Sequence, residues 1–278
     1  MKTWYTRWLM STHAPLDLWF AVGAAMAVVL GLVVGALRAL GSSPGGEHPG
    51  ALRALGGGRV LAGLMLWFAA DVALAAIGVF AATVHRPVPI IAIGIVLPIV
   101  VGVWLLSRAG ALSRLVDSIP THTLIDVQTY RVVGAVFILA WAEGRMPAIF
   151  ALTAGLGDVA VGVAAPLVAA RVEDVTGRSR QIAVIWNVAG IADLVVAVML
   201  GAATSPTPLW PTLLGHPNPL ISRLPFVLIP IFAVPLSVTL HIVALRRLSR
   251  RGHVHERPPA NQGSSQARPA MHADTSVG

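Results

Sequence analysis

Residues 147–170 read PAIFALTAGLGDVAVGVAAPLVAA, a run in which Asp158 is the only ionisable side chain. About 20 apolar residues suffice for a helix to cross the hydrocarbon core of a bilayer. Similar runs recur along the chain and predict seven spans, at 16–37, 60–83, 87–106, 124–141, 147–170, 183–202 and 224–245. The sequence therefore predicts an all-α protein, a polytopic bundle of seven transmembrane helices.

The composition of the whole chain agrees with membrane residence. Of its 278 residues, 56% are hydrophobic and 12% are charged, whereas an ordinary soluble domain has about 25% charged residues. The net charge of +8 would suit nucleic acid, but the basic residues lie in short segments between apolar runs, as in membrane proteins. We expect the lipid bilayer as partner, no nucleic acid, and a multi-pass location in the cell (plasma or inner) membrane. The sequence indicates no particular protein partner.

The distribution of basic residues predicts the orientation. Of the 20 Lys and Arg residues, Arg131 lies within a span and Arg268 far along the C-terminal segment. Thirteen of the others fall on the side of the chain's C-terminal segment and five on the opposite side, namely Lys2, Arg7, Arg86, Arg145 and Arg223. Because cytoplasmic loops carry the excess of basic residues, we expect the N-terminus outside and the C-terminus in the cytoplasm.

The chain divides into a membrane domain and a tail. Residues 1–249 are predicted to form the seven-helix transmembrane domain. The segment 250–278 is rich in Pro, Ser, Gln and Ala and lacks apolar periodicity. Such a segment buries too little apolar surface to fold, so we predict a disordered cytoplasmic tail.

A short motif containing Asp occurs twice. Residues 154–163 and 189–198 both read Ala-Gly, aliphatic, small, Asp, aliphatic, any residue, Val, small, Val, with Asp158 and Asp193 at an offset of 35. Consecutive spans run in opposite directions, and both carboxyls fall near the middle of the membrane by the ~1.5 Å rise per residue. Asp71 lies at a similar depth in the second span. Chance also explains the motif, because Ala, Gly and Val dominate the chain.

These Asp residues and a few other polar side chains form the candidate site. The obvious counter-charge is Arg131 in the fourth span. Three Asp and one Arg cannot all be neutralised by pairing, so we expect at least one Asp to be neutral or in contact with water. The predicted intramembrane polar site comprises Asp71, Arg131, Asp158, Asn187 and Asp193, with Gln128 and His241 as secondary candidates.

Several segments of the second half of the chain carry a resemblance. They are 150–166, with its Ala-Gly-Leu-Gly-Asp core and Ala-Ala-Pro end, the stretch from Trp186-Asn187 to Asp193-Leu194, and 230–245. Together they resemble a family of uncharacterised bacterial multi-pass membrane proteins, over about half of the chain by the span estimate above. The resemblance implies a membrane protein without an assigned activity and directs attention to Arg131, Asp158, Asn187 and Asp193.

Two functions from different classes follow. The first is a small transporter or permease-like bundle, with a small solute or a proton as its ligand, because ionisable residues inside a membrane usually mark a pathway. The second is a non-catalytic accessory subunit, sensor or scaffold, in which buried polar residues only fix helix packing.

Enzyme and cofactor chemistry have little support in the sequence. The chain has no Cys and no HExxH, GxSxG, phosphate-loop or dinucleotide-binding motif. We predict no metal, no cofactor and no enzymatic activity. A membrane enzyme using scattered Asp and Arg, or a haem protein with His122 and His241 as ligands, are the less favoured alternatives.

Overall fold

The computed structural model describes residues 14–42, 50–82, 89–108, 119–172, 177–205 and 217–255, together with 110, 113, 116 and 117. Throughout these residues the regular structure is helical and contains no strand. Seven helices are long and apolar enough to cross a membrane. The predicted all-α bundle of seven spans is therefore confirmed.

Five spans are single α-helices and two are composite. The first, second, third, fifth and sixth spans lie in the helices Leu16–Ser42, Gly50–Ala76, Pro89–Ser107, Ala148–Val172 and Gly177–Thr204. The fourth consists of α-helix Thr121–Asp126, a 3₁₀ stretch Val127–Gly134 and α-helix Ala135–Ala142. The seventh begins as a π-helix, Ile229–Ala233, and continues as α-helix Val234–His255, after a short 3₁₀ turn Leu220–Ser222.

The second span ends earlier than the hydropathy predicted. Its helix stops at Ala76 instead of reaching 83. Gly78 has a φ of 76°, and its N–H donates to the carbonyl of Ala75 while the N–H of Val79 donates to the carbonyl of Leu74. This pair of bonds is the Schellman motif, in which a glycine in the left-handed region closes the helix. Hydropathy does not register that signal, because the residues that follow remain apolar.

The seventh span begins later than predicted. Its regular helix starts at about Ile229 rather than at 224, and Pro230 occupies the first turn. A proline has no N–H to donate, so it is tolerated where the helix has no partner for that group. The same helix runs on to His255, past the predicted domain end at 249. The rest of the predicted tail, 256–278, lies outside the described residues.

The last four spans form the packed centre of the bundle. The fifth packs on the fourth and sixth, and the seventh packs on the sixth, the third and the start of the fourth. The first span lies against the second and against the 3₁₀ stretch of the fourth. Two separate apolar cores result, one toward each end of these spans.

The candidate site lies between the two apolar cores. Along the fifth span, Ala154 belongs to one core and Ala165 to the other, with Asp158 between them. Along the seventh span, Leu236 and Val243 divide in the same way around His241. The fold thus holds a polar layer across its most densely packed part.

Candidate functional site: a buried Arg–Asp–His cluster

Arg131 occupies the centre of the polar layer. It lies in the 3₁₀ stretch of the fourth span and is 2% exposed. The guanidinium contacts Asp158 of the fifth span, Asp193 of the sixth and His241 of the seventh. One side chain therefore joins all four of the packed spans.

Each nitrogen of the Arg131 guanidinium contacts an acceptor. Nε donates to Asp158 Oδ1 at 2.8 Å, and Nη1 lies 3.1 Å from the carbonyl oxygen of Gly190 and 3.3 Å from His241 Nε2. Nη2 is shared by two carboxylates, at 2.7 Å from Asp158 Oδ1 and 2.5 Å from Asp193 Oδ2. These contacts include four hydrogen bonds, so most of the five N–H donors of the guanidinium have an acceptor.

The protonation of the His241 ring follows from its neighbours. Because Arg131 only donates, His241 Nε2 must accept from it, and the ring proton then sits on Nδ1. Nδ1 lies 2.8 Å from Asn187 Oδ1, which accepts that proton. Asn187 Nδ2 in turn donates to the carbonyl of Ala183 at 2.8 Å. His241 is thus neutral, and it lies in the middle of a directed chain of hydrogen bonds from Arg131 to the carbonyl of Ala183.

Glycines allow the polar side chains to approach the helices closely. A Cβ placed on Gly157 would collide with Asp193 Oδ1, and one placed on Gly134 would collide with the side chain of Asp158. A Cβ on Gly190 would come within 2.6 Å of the His241 ring. Small residues at such positions let membrane helices pack closely. Here they make room for charged groups as well as for backbone.

The fifth span has one face of small residues around Asp158. Its members are all buried: Ala151, Gly155, Asp158, Gly162, Ala165 and Ala169. Gly162 lies directly against the backbone of Val132, next to Arg131. The two Asp residues of the repeated motif thus converge on one guanidinium from neighbouring antiparallel spans.

Asp71 stands apart from this cluster. Among the described residues, the ion pairs of Arg131 are made by Asp158 and Asp193. Asp71 is 6% exposed, and its Oδ2 finds no hydrogen-bond partner there. Trp67 and Phe68, one turn earlier in the second span, pack on Phe232. Equal depth in the membrane did not place Asp71 beside the other two carboxyls.

Gln128 belongs to a second contact between the fourth and seventh spans. Its Nε2 donates to the carbonyl of Ser237 at 3.0 Å, and Tyr130 Oη lies 2.6 Å from Ser237 Oγ. Sequence reasoning missed Tyr130 and Ser237. The signal available was weak, a hydroxyl in the middle of each of two apolar runs.

His241 and metal binding can be assessed from the same contacts. Both ring nitrogens of His241 are engaged, by Arg131 and by Asn187, so neither faces an open position for a haem iron. The part of the chain that the structure describes contains no group of three or more His, Asp or Glu arranged to hold a metal ion. The absence of a cofactor stays a prediction.

Together, the fold and the cluster define a class. It is a multi-pass helical membrane protein whose last four spans meet at a buried arginine that two carboxylates share. Residues 87–249 match a family model described as Domain of unknown function (DUF8737), and the chain belongs to that family. The match confirms the expected membership of an uncharacterised family. It spans Arg131, Asp158, Asn187, Asp193 and His241, whereas Asp71 lies outside the matched residues. No curated protein and no solved structure matches the chain.

Proposed function

We propose that the chain is a proton-linked transporter of a small solute, in which the Arg131 cluster binds and releases the proton. The single observation that carries this proposal is the sharing of one guanidinium by two carboxylates. With both carboxylates ionised the cluster has a net charge of −1, and one bound proton brings it to zero. An uncompensated charge inside a membrane is costly, so the neutral state is favoured until a pathway to water opens.

Asp193 is the proposed proton-exchanging group. Asp158 contacts two nitrogens of Arg131, Nε through a hydrogen bond and Nη2 through an ion pair, whereas Asp193 contacts Nη2 alone. The Asp193 side chain is also the more exposed, at 17% against 12% for Asp158. Protonating Asp193 weakens its hold on Nη2 while Asp158 keeps its two contacts. The charged contact between the fourth and sixth spans is then lost, which leaves the Arg131–Gly190 hydrogen bond between them, and the fifth span stays attached.

The irregular helices support a moving element at this site. Arg131 lies in a 3₁₀ stretch in the middle of the fourth span, and the seventh span opens with a π-helix. Mid-helix 3₁₀ segments and π-helical turns are frequent at hinges and functional sites. Broken or irregular helices around a midplane site are typical of secondary transporters.

The test is proton movement in proteoliposomes with a trapped pH-sensitive dye, a pH gradient and a panel of small solutes outside. We expect at least one solute to accelerate proton movement through the unmodified protein. Asp158→Asn and Asp193→Asn should abolish that response, and Asp126→Asn, an exposed carboxyl of the same bundle, should retain it. A full response in both cluster variants would refute the proposal.

A second function has its own supporting observation. Arg131 forms hydrogen bonds with all three of the other packed spans, as a packing centre requires. On this alternative the protein is a non-catalytic accessory subunit, sensor or scaffold. The same two Asn variants would then lower the melting temperature in detergent, and no solute would move protons through the unmodified protein.

We also propose that the N-terminus faces outward and the C-terminus faces the cytoplasm, in the cell membrane. The described basic residues at the C-terminal end of the bundle outnumber the acidic ones, as the positive-inside rule expects. The chain contains no Cys, so single cysteines can be labelled without background. In intact cells, an impermeant maleimide should label Glu143→Cys but reach Arg178→Cys only after lysis. The reverse pattern would overturn this orientation.

A further inference from the structure

A polar cleft lies between the ends of the third and seventh spans. Its rim carries Ser113, Asp117, Arg246 and Arg247, and its floor carries Leu106 and Val243. The cleft begins at Val243, two residues after His241 in the seventh span, and shares no residue with the Arg131 cluster.

Both arginines of the cleft are held by backbone carbonyls. Arg246 Nη1 lies 3.5 Å from the carbonyl oxygen of Leu106, at the end of the third span. Arg247 Nη2 donates to the carbonyl of Val116 in the connection that follows. The two positive charges are therefore positioned at the rim.

The surroundings of the cleft are strongly basic. With Asp117 on the rim, the cleft itself has one positive charge in excess. The described arginines at this end of the bundle are Arg59, Arg108, Arg171, Arg178, Arg180, Arg246 and Arg247. The described acidic residues nearest to them are Asp117 and, ~8 Å into the fourth span, Asp126.

The depth of the cleft matches a lipid headgroup. It lies where two membrane spans end. Two residues before Leu106 in the third span, the ring of Trp104 has the Arg108 guanidinium 4.3 Å from its centroid. Tryptophan is enriched at the membrane interface. The apolar Leu106 and Val243 lie nearer the middle of the membrane, and the guanidinium groups of Arg246 and Arg247 lie nearer its surface. This order suits a molecule with an acyl chain and a phosphate.

We propose that this cleft binds the phosphate headgroup of an anionic phospholipid, with Arg246 and Arg247 as its ligands. Basic pockets between spans on the positively charged side of a membrane protein bind anionic headgroups in this manner. The site is independent of the proposed transport activity.

The experiment counts lipids bound to the full-length protein by native mass spectrometry, with phosphatidylglycerol or phosphatidylcholine added to detergent. The test variant is Arg246→Gln with Arg247→Gln. The matched control is Arg171→Gln with Arg178→Gln, two arginines of the same end outside the cleft. We expect the cleft pair to weaken phosphatidylglycerol binding roughly 25-fold, since each arginine that contacts the headgroup contributes about fivefold. The control pair should change it by less than about fivefold.

Three results would overturn the proposal. Equal losses in both pairs would mean a diffuse surface attraction without a site. Equal binding of phosphatidylcholine would mean no recognition of negative charge. Displacement of the bound lipid by millimolar inorganic phosphate would identify a free-anion site instead. If the double variant does not fold, Arg246→Gln alone carries the test, with an expected loss of about fivefold.

Discussion

The fourth and seventh spans, from the packed part of the bundle, differ from the second and third in how much of their surface the protein covers. Within the fourth and seventh spans 56% and 67% of the residues are buried by the protein itself, against 6% in the second and third. The second and third spans present large apolar side chains outward, such as Leu66, Ile93 and Val96. Lipid, not protein, is the solvent for those side chains.

The difference shows where specificity resides in this bundle. Lipid tails are as apolar as leucine, so apolar character alone holds a helix in the membrane but does not choose its neighbours. Which helices pack together is decided where only one arrangement gives the buried polar groups their hydrogen-bond partners and lets the helices pack closely. In this chain that place is the layer around Arg131.

Removing the shared charge should produce the largest effect. Arg131→Met leaves the carboxyls of Asp158 and Asp193 buried without their counter-charge, a loss of about 3–5 kcal/mol for a broken buried pair. The thermal unfolding midpoint in detergent should fall sharply. Arg171→Met, an exposed arginine bonded to its own helix, is the control and should leave the midpoint unchanged. Equal midpoints for the two variants would contradict the central role of Arg131.

Replacing one phenylalanine by alanine in each half of the chain should give a large loss of stability in one half and a small loss in the other. Phe150 is 2% exposed and packs edge-on against Phe137 at 5.2 Å, whereas Phe20 of the first span is 76% exposed. Phe150→Ala should cost about 3 kcal/mol through the cavity it leaves. Phe20→Ala should cost under ~0.5 kcal/mol. Chemical denaturation in mixed micelles measures both, and comparable losses would show that Phe20 is packed by protein.

Replacing a glycine by alanine should lower the free energy of unfolding in one half of the chain and leave it unchanged or raise it in the other. Gly157→Ala forces a methyl group into Asp193 and should cost about 1–3 kcal/mol, as overpacking does. Gly31→Ala in the first span meets nothing within 4 Å. It should be neutral or stabilise by up to ~1 kcal/mol, because alanine favours helix over glycine. A stabilising Gly157→Ala would show that Asp193 does not occupy that space.

Removing one interhelical hydroxyl should give the smallest effect. Tyr130→Phe deletes the 2.6 Å hydrogen bond to Ser237 and little else. Interhelical hydrogen bonds in membranes contribute about 0.6 kcal/mol on average. Ser237→Ala should give a similar loss, and the double variant should be no worse than either single one. Additive losses would mean that the two hydroxyls act independently.

The sequence predicted the spans well because length and hydropathy are properties of each segment alone. It predicted Arg131 as the counter-charge for the same reason, since few ionisable residues remained within the spans. Asp158 and Asp193 indeed meet there. The grouping of Asp71 with them rested on depth, and depth does not fix which way a helix face turns.

Features that depend on contacts between different spans could not be predicted from the sequence. His241 ranked as a secondary candidate, yet it contacts Arg131 directly. The 3₁₀ stretch around Arg131 arises in a packed bundle, where tertiary contacts outweigh local propensity. The early end of the second span, by contrast, could have been predicted from Gly78. A hydropathy average over a window does not detect a single glycine.

The central claim is that one guanidinium serves two carboxyls and that the cluster therefore holds a proton. Infrared spectroscopy of the carboxylic acid C=O band at neutral pH tests it most directly, in an Asp71→Asn background that removes the other buried carboxyl. The account predicts a protonated-carboxyl band that disappears in both Asp158→Asn and Asp193→Asn, because either change leaves one Asp for one Arg. A parent protein without the band, or a band that survives both substitutions, would contradict it.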